Sequence, residues 1–219
     1  MNARSHIFEL AVESCQVEDA VLALFHPILF HRALGKFSYQ VESSYSIGTV
    51  GYQDVDCHAI DHTYVRTSSP GLDSLIRREV LSFAEDLKNT HGLRSGQISL
   101  EFYQRKRTRW PFPPENIPWE VWTIRVELVT LQNEYERIRW REKLGEVLSE
   151  KTLYITEVMN KHEFLPKMPN QSDLELVFDT SFHDVQPYLF KACHSTSSPS
   201  TPSVGINTVR RLLKDTLAI

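Results

Sequence analysis

Cys57, His58 and His62 place a thiol and two imidazoles in one short stretch, a donor set that suits a divalent metal. Spacing decides against it. On a helix His58 and His62 would share a face, but QDVDCHAIDHTYV reads as a strand, where the two rings stand about 13 Å apart. No second Cys/His group has finger spacing, so no metal site is expected. Cys193 and His194 set a nucleophile beside a base, yet neighbours in sequence usually point apart. His26 and His31 lie on a helical stretch and read as polar groups at its edge or end. The chain has no G-x-S-x-G elbow, no P-loop and no G-x-G-x-x-G turn. Gly48 and Gly51 read as turn or bulge glycines. Carboxylates are plentiful but form no legible pair. No catalytic residue and no cofactor are expected.

The residues that do stand out lie in RTRWPFPPENIPW, residues 107–119. Trp110 and Phe112 flank Pro111, with Arg107 and Arg109 before them and Pro113 and Pro114 after. Burying an aromatic side chain of this size is worth about 1.5–3 kcal/mol. The prolines stiffen the segment and the arginines resist burial, which favours aromatics held out for a partner. Trp is also a common hot-spot residue. Arg105, Lys106, Arg107 and Arg109 beside two aromatics suggest a second reading, single-stranded nucleic-acid binding.

The elements around this segment make it a hairpin tip. QISLEFYQRK alternates Ile98, Leu100 and Phe102; WEVWTIRVELVTL alternates Trp122, Ile124, Val126 and Leu128. Upstream, residues 6–13 read as a strand. A helix follows, apolar over more than one face at Val17, Ala20, Val21, Leu24, Phe25, Ile28 and Leu29, hence central. Pro27 lies inside it at a cost of about 3 kcal/mol unless the helix kinks, and Gly35 is a plausible stop. Residues 37–66 read as strands. The next helix starts at Ser69-Pro70, carries Leu72, Ile76, Val80, Phe83 and Leu87 on one stripe, and stops at Gly92. A long helix spans about 133–160, with Leu144, Val147, Leu148, Ile155, Val158 and Met159 inward. LELVF and PYLF read as short strands. Residues 194–205 are Ser/Thr/Pro-rich and read as a mobile segment. Residues 206–219 read as a C-terminal amphipathic helix, with Arg210, Arg211 and Lys214 opposite Val209, Leu213 and Leu217. The whole is α+β.

Composition agrees with an ordinary globular chain: 219 residues, 41% hydrophobic, 24% charged, net charge −4. The acidic balance gives no global nucleic-acid signature. The three cysteines, far apart, suggest a reducing compartment rather than a disulfide framework. No signal peptide or bilayer-spanning run is legible.

SIGTVGYQDVDC, SLEFYQ, RWPFPPENIPWEVWT, EVMNKHEFLPKMP, DVQPYLFK and RRLLKDTLAI together resemble the autophagy-related protein 101 family of HORMA-domain proteins. The resemblance runs in order along nearly the whole chain. It implies one HORMA domain over residues 1–219, a mainly antiparallel sheet against three main helices with a short C-terminal helix. It implies no enzymatic activity. The implied partner is the HORMA domain of autophagy-related protein 13, in a heterodimer that joins the initiation kinase and its scaffold. Trp110, Pro111 and Phe112 match the family's WF finger, which recruits downstream autophagy factors. Neither nucleic acid nor more than indirect membrane contact is implied, and the location is cytoplasmic with recruitment to the phagophore assembly site. For the partner-HORMA surface the residues offer Asp54 and Asp56, which suit partner arginines, and His31. Pro27 and the 194–205 segment depart from the family pattern.

Overall fold

The structure, a computed structural model, describes residues 3–41, 44–89, 95–108, 114–161 and 165–196. In chain order the elements are β1 (Arg4–Val12), α1 (Val17–His31), β2 (Ala33–Leu34), β3 (Phe37–Val41), β4 (Ser44–Ile47), β5 (Tyr52–Asp56) and β6 (Thr63–Thr67). Then come α2 (Pro70–Asn89), β7 (Ser95–Lys106), β8 (Glu115–Leu128), α3 (Glu134–Met159), β9 (Gln186–Pro187) and β10 (Phe190–Thr196).

Strand alternation builds the main sheet. Phe8, Leu10 and Val12 of β1, Ile98, Leu100 and Phe102 of β7, and Trp122, Ile124 and Val126 of β8 all point to one buried face. The sheet order is β1-β8-β7-β10, with β1 parallel to β8 and the other pairs antiparallel. Three smaller ribbons pair β2 with β9, β3 with β4, and β5 with β6.

Helix α1 is the hub. Val17 and every residue from Ala20 to Leu29 is buried, so it packs all round, against β6, α2 and α3. A 3-10 turn at Ser14–Gln16 leads into it, closed by a reciprocal cap between Glu13 and Gln16. Pro27 sits inside the helix without ending it. Helix α2 starts as its residues dictate: the Ser69 hydroxyl accepts from the Leu72 N–H at 3.4 Å, and Pro70 takes the first position. Its stripe of Leu72, Ile76, Val80, Phe83 and Leu87 is buried. In α3 the Asn133 side chain accepts from the Glu136 N–H at 2.9 Å, and Leu144, Leu148, Ile155, Val158 and Met159 turn inward.

Several sequence expectations are corrected. Residues 58–62 form no strand; they are the turn between β5 and β6, closed by the Cys57 N–H on the His62 carbonyl at 2.9 Å. Helix α1 ends at His31, four residues before Gly35: the chain turns at Arg32 and pairs β2 with β9. LELVF is largely a 3-10 helix, Gln171–Leu176, with Phe178 bridging singly to Tyr188. His194 to Thr196 belong to β10, paired with β7, so the segment read as mobile starts inside the sheet. The rest of that segment, the C-terminal helix at 206–219 and the stop at Gly92 lie outside the described residues.

Candidate interaction surfaces

The β7–β8 ribbon is register-locked to its end, from Ser95↔Glu127 out to Lys106↔Glu115. One irregularity, between Phe102 and Tyr103, opposes Phe102 to Glu120 and Tyr103 to Pro118, so Trp119 is the extra residue of a bulge. The bulge turns Trp119 onto Phe102 and Tyr188, with ring centroids at 5.6 and 5.4 Å.

Beneath the bulge lies a charged pair that sequence reading missed. The Arg32 Nη2 and Nε donate to Glu120 Oε2 and Oε1 at 2.7 and 3.2 Å, and the Trp122 indole N–H donates to Glu120 Oε1 at 2.6 Å. Both charged side chains are almost fully sealed from solvent. The Arg32 carbonyl accepts from the Tyr188 N–H at 2.9 Å, and its guanidinium lies 5.7 Å from the Trp119 ring. The end of α1, the ribbon and β9 are thus fastened at one point. A signal was present: Glu120 falls in phase with Trp122, Ile124 and Val126, a carboxylate on a core-facing register.

Further out, Arg107 donates to the Ser172 carbonyl at 2.9 Å and pairs with Asp173 at 2.8 Å. One cation of the basic cluster is therefore committed to the 3-10 helix, and Arg105 and Lys106 remain exposed. Trp110, Pro111 and Phe112, with Arg109 and Pro113, lie outside the described residues.

The β5–β6 ribbon forms a second surface. Gln16 Nε2 donates to the Ala59 carbonyl at 3.0 Å and the Ala59 N–H donates to Asp19 Oδ2 at 2.7 Å, pinning its turn to the start of α1. Arg141 of α3 pairs with Asp61 at 2.8 Å. Val55 and Cys57 pack on the core, so alternation sends Tyr52, Asp54 and Asp56 outward. Tyr52 is 66% exposed. Asp56 accepts from the Thr63 hydroxyl at 2.6 Å; Asp54 stands opposite Val65. His31 is half-buried at the end of α1, and Phe30 touches both its ring and that of Tyr52. His31, Asp54 and Asp56 thus belong to one side of the molecule, linked through Phe30 and Tyr52. Burial, then the neighbouring Arg32 charge, pushes the His31 pKa down.

The remaining chemistry is structural. His26 is buried rather than at a helix edge; its Nε2 lies 3.2 Å from Asp73 Oδ1 and its ring stacks on Tyr64. Burial lowers the His26 pKa, while His26 at this distance, with Arg66 next, holds Asp73 far below the carboxylate range. Burial pushes the Cys57 thiol up to about 12. Cys193 and His194 point apart: Cys193 is exposed and His194 pairs with Asp86 at 2.9 Å. Among the described residues no three His, Cys, Asp or Glu side chains are placed to hold a metal, and no helix is long and apolar enough to cross a membrane.

These features define a class: an α+β domain whose outward chemistry lies on ribbon ends and edges. Comparison with known sequences gives the family. The profile described as Autophagy-related protein 101 matches residues 9–172. The chain is 56% identical to autophagy-related protein 101 of Xenopus tropicalis and 55% to that of Homo sapiens, each over 219 residues and the full length of both chains. It is 27% identical to the Arabidopsis thaliana protein of that name over 123 residues, 55% of this chain and 51% of the relative. The chain belongs to the autophagy-related protein 101 family, and its role is in autophagy.

Proposed function

We propose that this chain is a non-catalytic HORMA-type subunit of the autophagy-initiation kinase complex. It pairs with and stabilises the HORMA domain of autophagy-related protein 13 and recruits later autophagy factors through Trp110 and Phe112. The family membership supports the autophagy role. The observation that carries the finger is the ribbon itself, paired without a break from the bulge out to exposed Lys106 and Glu115. Strands so fastened, ending at two exposed residues, support the reading of Trp110 and Phe112 as contacts for a partner rather than as core. The outward stripe of Tyr52, Asp54 and Asp56, with His31 beside it, is the surface assigned to the partner HORMA domain. Among the described residues β5 pairs only with β6, and its carboxylates suit partner arginines.

The test is a pull-down with full-length protein in three forms: unaltered, Trp110→Ala with Phe112→Ala, and Asp54→Lys with Asp56→Lys. The finger variant retains the partner HORMA domain and loses the later factors. The acidic-stripe variant loses the partner HORMA domain. Retention of every partner by both variants ends the reading.

A further inference from the structure

Three serines in the sequence have a carboxylate three residues further on: Ser82 with Glu85, Ser172 with Glu175, and Ser181 with Asp184. Only Ser172 also has one at the next position, Asp173. A hydroxyl followed by carboxylates at these two steps suits an acidic-directed Ser/Thr kinase, whose cationic groove side chains pair with both acids. The fold separates the three serines. Ser82 lies within α2, a 20-residue helix with a sealed stripe, so presenting it in extended form means unwinding part of the core. Asp184, the acid that follows Ser181, is taken by the Ser69 hydroxyl, which donates to it at 2.8 Å. Ser172 and Glu175 are exposed, and their 3-10 helix, Gln171–Leu176, has no fully buried residue. Such a turn opens locally at low cost into the extended form that a kinase groove takes.

A group to receive the phosphate is in place. Arg107 donates to the Ser172 carbonyl at 2.9 Å and meets Asp173 at 2.8 Å, in a half-exposed pair weak enough to yield. A phosphate on the Ser172 hydroxyl hangs from the very residue that Arg107 grips. It brings a dianion within reach of that guanidinium, where it outcompetes the single charge of Asp173. We propose that Ser172 is a phosphorylation site for an acidic-directed Ser/Thr kinase, and that the phosphate takes Arg107 from Asp173. In the transfer the Ser172 Oγ bonds to the γ-phosphorus of ATP and the bond from that phosphorus to the β,γ-bridging oxygen breaks. The hydroxyl proton passes to the catalytic carboxylate of the kinase, and ADP leaves. Modification fastens the 3-10 helix more tightly to the base of the β7–β8 ribbon. The site does not depend on the roles proposed for Trp110 and Phe112.

Labelling of the full-length protein tests this, with ATP and purified casein kinase II as the acidic-directed kinase and peptide mass spectrometry to locate the phosphate. Ser172 should be labelled about tenfold faster than Ser82 or Ser181, and Glu175→Gln, a change at an exposed side chain, should slow that labelling about tenfold. Phosphorus NMR of the modified protein then reads the contact with Arg107. A phosphoserine loses its second proton near pH 6, at about the value of the free group. Removing a neighbouring cation disfavours the dianion, so Arg107→Gln should raise that second pKa by about 0.5. No phosphate at Ser172, labelling indifferent to Glu175→Gln, or a second pKa that Arg107→Gln leaves unchanged would overturn the proposal.

Discussion

Arg32 and Glu120 form a two-point ion pair, 2.7 and 3.2 Å, with side chains 3% and 1% exposed. Breaking a buried pair by removing one partner leaves the other charge in the core, a cost of about 3–5 kcal/mol. Arg32→Met should therefore destabilise the protein by about that amount, and Glu120→Leu by as much, since it also strands the Trp122 indole N–H. The double substitution should cost less than either alone, because no bare charge remains. Urea unfolding of the three variants gives the cycle. Additive losses would mean that the pair is not coupled.

The buried histidines set a pH dependence. The His26 pKa is lowered by burial, so the unfolded chain binds more protons in mildly acidic solution. The sign follows: stability is full above about pH 6.5 and falls as the pH drops through and below that value. Burial lowers His6, His31 and His62 as well, so their contributions add. Asp73, with its depressed pKa, adds stability above its unfolded value near pH 4, lost as the pH falls further. Urea midpoints should thus fall between pH 7.5 and 5.5. His26→Gln, whatever it does to stability at neutral pH, should flatten that slope.

Much of the architecture is legible from period alone. The β7 and β8 alternation and the stripe of α2 survive intact because each element buries one clean face. The failures share a cause. At LELVF and at 58–62 apolar residues recur too briefly for a period, and tertiary bonds such as the Ala59 clasp decide the shape. The ends of α1 and β10 likewise depend on distant partners, Tyr188 and β7. Of the site, the ribbon was legible; its anchors, Arg32 and Asp173, were not, because pairing across long stretches of chain leaves no local trace.

The finger residues make a prediction with a built-in contrast. If Trp110 and Phe112 serve a partner, Trp110→Ala with Phe112→Ala should change unfolding free energy by no more than about 0.5 kcal/mol. Truncating two buried aromatics would cost about 3–5 kcal/mol each. A loss of that size would show that the pair belongs to the core.

Gly145 sets two known effects against each other. It sits in α3 where the chain passes Asp61, and a Cβ there would fall closer to the Asp61 carbonyl oxygen than real contacts allow. In an open helix Gly→Ala gains about 1 kcal/mol. Here the turn cannot easily retreat: Asp61 is paired with Arg141, and Ala59 is held by both Gln16 and Asp19. Overpacking a fixed backbone costs about 1–3 kcal/mol. Gly145→Ala should therefore lower the urea midpoint despite its better propensity, and relieving the clasp with Gln16→Ala should shrink the Gly145→Ala loss. A midpoint that rises would show that the β5–β6 turn yields, and with it the base of the Tyr52, Asp54 and Asp56 stripe.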